Sequence, residues 1–186
     1  GQLVIRFGLP VVIKQVREGS SLGLTLAKTV GELVGGIHKA LEHDSQVMVE
    51  KYISGKELTV GVIGNNEITP LPVIEIVPGE GFSFFDYDAK YKAGATEEIC
   101  PARISDKMRD LAQEYGTVAH RVLRLRGYSR TDMILTDNDE LYLLETNTIP
   151  GMTPTSLMPQ AAAAYGLDFP AFLEKLIEFG LEGRPV

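Results

Sequence analysis

The sequence predicts an α+β fold in which antiparallel hairpins are covered by helices. Two observations carry this. ELTVGVI and EITPLPVIEIV flank Gly64-Asn65-Asn66, and YSRTDMIL and ELYLLETN flank TDND, both hairpin patterns. Between and after them, apolar residues recur at helical spacing behind capping residues. With 186 residues, 44% of them hydrophobic, the chain can bury a sizeable core as one domain or two small ones.

Taken in order, LPVVIK (9–14) reads as a β-branched strand, and REGSSLGLT (17–25) as a Gly/Ser loop entering a second strand. Thr29-x-x-Glu32 is a capping box, with Val30, Leu33, Val34, Ile37 and Leu41 as the apolar stripe of a helix weakened by three glycines. QVMVEKYI (46–53) is a strand and SGKE (54–57) a turn. The two prolines of EITPLPVIEIV make its strand irregular or an edge. The stretch between Pro78 and Cys100 is a long polar loop studded with aromatics, of the kind that is functional or disordered. From Ser105 a stripe through Met108, Leu111, Ala112, Tyr115, Val118, Ala119 and Val122 predicts a helix stopped at Gly127. Ser156 caps a helix ending near Gly166, and Asp168 starts a last amphipathic helix that tolerates Pro170.

Net charge of −7 and a pI near 5.0 argue against general affinity for nucleic acid or anionic membranes. Cys100 is the only cysteine, so no internal disulfide forms, and a reducing, cytoplasmic setting is expected. No apolar run is long enough to span a bilayer. Gly1 is not an initiator methionine and Leu3–Phe7 reads as the middle of a folded unit, so a piece of a longer protein is expected, with a processed start as the alternative.

The chemistry concentrates in LLETNTIPGMT (143–153). Simple alternation places Leu141, Leu143, Glu145 and Asn147 on one strand face, so a face that begins as core ends in an acid and an amide. A four-residue turn, Asp137–Glu140, sets Asp132 opposite Glu145 and Arg130 opposite Asn147. Carboxylates about 5 Å apart repel by roughly 3 kcal/mol at an effective dielectric near 20. Proton sharing, Arg130 or a bound cation could offset that. Two carboxylates and an amide oxygen are hard ligands suited to Mg²⁺ or Mn²⁺, and the spacing favours the metal over acids merely solvated at a strand end. Lys14 ends an apolar strand just before Gly19-Ser20-Ser21-Leu22-Gly23, a loop that could cradle phosphate or be a plain turn. Glu50-Lys51 closes a strand where a base and ribose could meet backbone and acid.

EGSSLG, VEKYISGKE, FDYDAKY, SRTDM and LLETNTIPGMTPTSLMP, in that order, resemble the D-alanine–D-alanine ligases, members of the ATP-grasp carboxylate–amine ligases. The resemblance covers nearly the whole chain. It implies an ATP-grasp fold, with residues 1–54 as the remainder of a central subdomain and 55–186 as a C-terminal domain bearing the Mg²⁺ and substrate site. It also implies that two D-alanines are joined with ATP through an acyl-phosphate, for peptidoglycan, by an enzyme that is commonly a homodimer.

Residue by residue, the resemblance implies that Asp132, Glu145 and Asn147 hold two Mg²⁺ ions, with Glu145 bridging. Lys14 would contact ATP phosphates and Ser21 would sit in the loop closing over them. Glu50, Lys51 and Ile53 would meet the adenine, Glu57 the ribose hydroxyls, and Lys90 the γ-phosphate. Tyr91 would close the aromatic loop onto Ser20, and the DYDAKY pattern favours the dipeptide over D-alanyl-D-lactate. Arg130 and the Gly151 N–H would stabilise the oxyanion, while Ser156 and Leu157 receive the carboxylate of the second D-alanine. Family members carry an N-terminal domain and further strands ahead of the matched region, so little activity is expected of this chain alone. The competing readings are a non-catalytic nucleotide- or metal-binding module and an ATP-grasp ligase for D-lactate or another amine. Oxyanion donors beside the acids argue against the first.

Overall fold

The computed structural model describes residues 7–17, 23–79 and 96–183. Cα proximity divides the chain into two compact units, Gly1–Ser54 with Pro78–Glu97, and Gly55–Val77 with Glu98–Val186.

In the first unit, strand β1 (Val11–Gln15) lies between β2 (Thr25–Ala27) and β3 (Val47–Lys51), antiparallel to both. Val11 and Ile13 alternate inward and share a core with Ala27 and with Leu33 and Ala40 of helix α1 (Val30–Leu41). The Thr29 capping box forms: the Glu32 N–H donates to Thr29 Oγ1 at 3.2 Å, and the Thr29 N–H donates to the Glu32 carboxylate at 3.3 Å. The buried face differs from the expected stripe. Val30, Val34 and Leu41 are about half exposed, whereas Leu33, Gly36 and Ala40 are buried. Gly36 explains the rotation, because a Cβ there would lie 2.5 Å from Ile13 Cδ1 and 3.0 Å from Thr25 Cγ2. Close approach over a glycine outweighs the burial of two valines.

The second unit is built on β4 (Lys56–Gly64), to which β5 (Ile68–Pro70), β6 (Ile74–Pro78) and β8 (Gly127–Leu135) all pair antiparallel. With β7 (Thr96–Ile99) and β9 (Leu141–Asn147) the order is β7-β6-β4-β8-β9, β5 also lying on β4. The expected SGKE turn is shorter than predicted, since Lys56 and Glu57 already pair with Leu135 and Ile134. EITPLPVIEIV is two strands, because Pro70 and Pro72 lack ladder donors; β6 is interior, between β7 and β4.

Helix α2 (Asp106–Val122) covers one face of this sheet, its Met108 and Ala112 meeting Leu58, Val60, Val62, Met133 and Leu135. It ends at Val122 rather than running to Gly127. Arg124 takes φ 54° and the Leu125 N–H returns to the His120 carbonyl at 3.0 Å, a reversal that satisfies the last carbonyls. Helices α3 (Leu157–Tyr165) and α4 (Phe169–Leu181) cover the opposite face through Met158, Ala161, Ala162 and Phe172. Gly61 seats α3, for a Cβ there would come within 2.7 Å of Met158 Sδ. Gly166 at φ 105° ends α3, and Asp168 caps α4 by accepting the Ala171 N–H at 2.9 Å.

Glu75 of β6 is a buried carboxylate, clamped by the Arg103 guanidinium at 3.0 and 3.1 Å and by the Arg103 N–H at 3.0 Å. The guanidinium holds its pKa below the usual carboxylate range, against the opposing cost of burial. The resulting stabilisation is complete above the unfolded-chain value near ~4.3 and is lost as pH falls through the lower native value. Glu75→Gln is expected to lower stability at pH 7 by about 2 kcal/mol. Its deficit should shrink at pH 3, as read by urea denaturation at both pH values.

Candidate functional site

The β8–β9 hairpin builds the site. From the turn outward, Leu135 pairs with Leu141, Ile134 with Tyr142 and Met133 with Leu143. The register then shifts, so that Asp132 faces Glu145, Thr131 faces Thr146 and Arg130 faces Asn147. The expected site pairs are present, but by another route. The turn has three residues, Asp137-Asn138-Asp139, closed by the Thr136 N–H on the Glu140 carbonyl at 2.9 Å, with Asp139 at φ 59°. Carried through without interruption, that register would set Asp132 against Leu144. A β-bulge absorbs Leu144 and restores Glu145.

The bulge also corrects the face assignment. Directly paired residues share a face, so Leu141 and Leu143 lie with buried Leu135 and Met133 on the side of α2. Glu145 and Asn147 lie on the opposite side, with Asp132 and Arg130. The four residues Leu141, Leu143, Glu145 and Asn147 therefore do not share one side. The strand changes face at Leu144, and its acid and amide never belong to the core face.

Asp132 is the hub. Its Oδ1 accepts from Arg130 Nε at 2.8 Å and from Thr59 Oγ1 at 2.6 Å; its Oδ2 accepts from Arg130 Nη2 at 2.8 Å and from Asn147 Nδ2 at 3.1 Å. Asn147 Nδ2 also reaches toward Glu145 Oε1 at 3.5 Å. Burial opposes the charge on Arg130, but the bonds to Asp132 and the fields of Glu145 and Glu98 outweigh it, and its pKa lies above the ordinary value. Among the three offsets open at the sequence level, Arg130 is the one this structure uses.

Asp132, Glu145 and Asn147 offer two carboxylates and an amide on one sheet face, and among the described residues no three His, Cys, Asp or Glu side chains gather into a larger cluster. That donor set fits Mg²⁺ or Mn²⁺, which complete their shells with phosphate and water, and does not fit an all-protein cage. To ligate an ion through its amide oxygen Asn147 would make a half-turn about its terminal torsion, since it turns its N–H groups to the acids, and withdrawal of Arg130 would open a further lone pair of Asp132.

Ser156 stands at the N-cap of α3 but does not cap it. Its Oγ accepts the Thr153 N–H at 3.1 Å and lies 2.8 Å from Thr153 Oγ1, tying the Gly151–Ser156 loop to itself. Gly151 is exposed and borders Ser156; a Cβ there would be 3.0 Å from Ser156 Oγ. Glu57 lies on β4 opposite Ile134. In the first unit, Lys14 and Glu50 share the sheet face away from α1 and form an ion pair at 2.5 Å, while Lys51 falls on the alternate face, paired with Val11. Ile53 lies just past the end of β3, outside any helix or strand. Ser20, Ser21, Lys90 and Tyr91 lie outside the described residues.

Sequence reasoning missed Thr59, Glu98 and Gln160. Thr59 sits inside ELTVGVI, where a β-branched residue reads as strand core. Glu98 of β7 bonds Gln160 of α3, whose Nε2 also donates to the Thr155 carbonyl at 2.8 Å, and only the fold brings these segments together.

Comparison with known proteins gives a consistent result. A family model described as "D-ala D-ala ligase C-terminus" matches residues 1–178. The D-alanine–D-alanine ligase of Desulfotalea psychrophila is 55% identical over 182 residues, covering 97% of this chain and 56% of the relative. That of Syntrophobacter fumaroxidans is 53% identical over 177 residues, covering 95% and 57%. The chain thus spans about half the length of the curated relatives it matches. Among solved structures, the VanG D-Ala:D-Ser ligase from Enterococcus faecalis superposes with a TM-score of 0.82 at 36% identity, over 96% of this chain and 52% of that one. The D-alanine–D-alanine ligase from Bacillus anthracis complexed with ATP gives 0.80 at 28% identity, over 96% and 54%.

The Arg130–Asp132 side chains are only 18% and 21% exposed, so breaking the bidentate pair leaves a poorly solvated charge opposite Glu145. Arg130→Ala is expected to cost about 3 kcal/mol in chelator-treated protein. Adding Glu145→Gln should recover part of that loss, which a thermal-denaturation double-mutant cycle would measure.

Proposed function

The chain belongs to the D-alanine–D-alanine ligase C-terminal family, an α+β ATP-grasp family, and on that footing we propose that it carries the metal- and phosphate-handling part of an ATP-dependent ligase that joins two D-alanines for peptidoglycan synthesis. The observation that supports this most is the opposition of Asp132 and Glu145 on one sheet face, flanked by Arg130 and Asn147. A nucleotide-binding module has no use for a guanidinium held ready beside its metal acids; a reaction that develops an oxyanion does.

A carboxylate is a poor electrophile until one oxygen becomes a phosphate leaving group, and ATP supplies that phosphate as an acyl-phosphate. Asp132, Glu145 and Asn147 would hold two Mg²⁺ ions, which would supply charge neutralisation on the phosphates. Arg130, once free of Asp132, and the Gly151 N–H meet the oxyanion formed when the second amine attacks. Ser156 and the Leu157 N–H at the start of α3 receive the carboxylate of the second D-alanine, where free N–H groups and the helix dipole favour negative charge. Pro159 has no N–H, so the recognition falls to the donors ahead of it. Lys14, Ser21 and Lys90 serve the phosphates, Glu50, Lys51 and Ile53 the adenine, and Glu57 the ribose. On the family resemblance, Tyr91 and Ser20, which lie outside the described residues, would serve to keep water from the acyl-phosphate. No described helix is long and apolar enough to cross a membrane, in keeping with a cytoplasmic enzyme, which we take to act as a homodimer.

A second reading, D-serine in the second position, draws on the likeness to the VanG D-Ala:D-Ser ligase. Ser156 and Leu157 would grip a carboxylate common to both amino acids, so the choice rests with other groups.

The chain by itself is expected to show no D-alanine-dependent phosphate release. Fused behind the N-terminal part of the Desulfotalea psychrophila ligase, it should release phosphate with D-alanine and form the dipeptide. Preference for D-serine or D-lactate as second substrate would replace the dipeptide reading with that of a related ligase. In the same fusion, Glu145→Gln is expected to abolish Mg²⁺-dependent nucleotide binding in calorimetry, and unchanged binding would remove the two-metal assignment.

A further inference from the structure

Asp132 has two neutral partners, Asn147 and Thr59, and of these only Thr59 is not itself read as a metal ligand. Thr59 lies directly opposite it on β4, is 1% exposed, and donates its hydroxyl to Asp132 Oδ1 at 2.6 Å; the alternative acceptor, the Thr131 carbonyl, is at 3.5 Å. We propose that Thr59 is a positioning residue that fixes the Asp132 carboxylate for divalent-ion ligation and keeps it fixed when Arg130 withdraws. The inference rests on the metal-ligand reading of Asp132 and Glu145.

The two anchors of Asp132 differ in kind. Arg130 is a long side chain with several rotatable bonds, and its guanidinium can leave. Thr59 is β-branched, stiff at its single χ1, buried, and tied to Asp132 by strand pairing. Without Thr59, departure of the guanidinium would leave the carboxylate held only through Asn147 on Oδ2, free to turn about a broad, roughly two-fold torsion. With it, Oδ1 gives one lone pair to the hydroxyl and offers the other to an ion. Packing alone does not call for a hydroxyl here. Valine would fill the same volume, as Val60 and Val62 do on the other face of the same strand.

The test is a Mn²⁺ titration followed by the EPR signal of free ion, without nucleotide or turnover, on the parent, Thr59→Val, Thr59→Ser and Glu145→Gln. Thr59→Val is expected to weaken Mn²⁺ binding about tenfold or more, the usual effect of losing a hydrogen bond to a metal ligand, and Thr59→Ser to restore most of it. Circular dichroism reports whether each variant is folded, and Thr59→Ala replaces the valine variant if that one is not. Mn²⁺ affinity unchanged in Thr59→Val, with only the melting temperature altered, would reduce Thr59 to a packing residue. Loss of binding in Glu145→Gln but not in Thr59→Val would overturn this inference and leave the metal site standing. Binding indifferent to Glu145→Gln, or absent from the parent, would overturn the metal reading beneath it.

Discussion

Two carboxylates held directly opposite one another across a pair of strands constrain the second unit more than any other feature. The β8–β9 ladder holds Asp132 against Glu145, and β8 is fixed on its other side by β4 from Lys56 to Gly64, over the core beneath α2. Repulsion of a few kcal/mol at such a separation must be met by a counter-charge at the site itself. Arg130 is in place as such a counter-charge. Its two bonds to Asp132, with one each from Thr59 and Asn147, occupy the carboxylate on both oxygens.

The bulge at Leu144 allows the hairpin to serve two masters. Residues near the turn place Leu141 against the core beside Leu135, with Leu143 on the same face but half exposed, while residues at the far end must present acids on the opposite face. A regular strand with period two cannot do both from this sequence, because Leu143 and Glu145 have the same parity. One extra residue changes the parity between them. The three-residue turn and the bulge therefore compensate each other, and the site register depends on the pair rather than on either alone.

Much of this was legible in the sequence. Capping at Thr29 and Asp168 and the two hairpins follow from short-range rules, and the structure contains them. What short-range rules miss is geometry decided by distant contacts. Gly36 sets the rotation of α1 through Ile13 and Thr25, so the valine stripe misleads. Arg124 ends α2 early because a non-glycine residue takes a left-handed conformation that composition does not announce. Periodicity also could not show that Leu144 is bulged, since two small errors, a shorter turn and a skipped residue, cancel at the site. Thr59 was illegible for a different reason. A threonine in a β-branched strand looks like filling until its partner across the ladder is known.

The dual position of Arg130 links charge balance to the proposed chemistry. Without the acids the guanidinium would be an unpaired cation, and without it the acids would be an unpaired dianion; joined, they hold each other in place. A divalent ion ligated by Asp132 would meet the guanidinium already bonded to the same carboxylate. Thr59, neutral and unable to move away, keeps Asp132 from following Arg130 out of position.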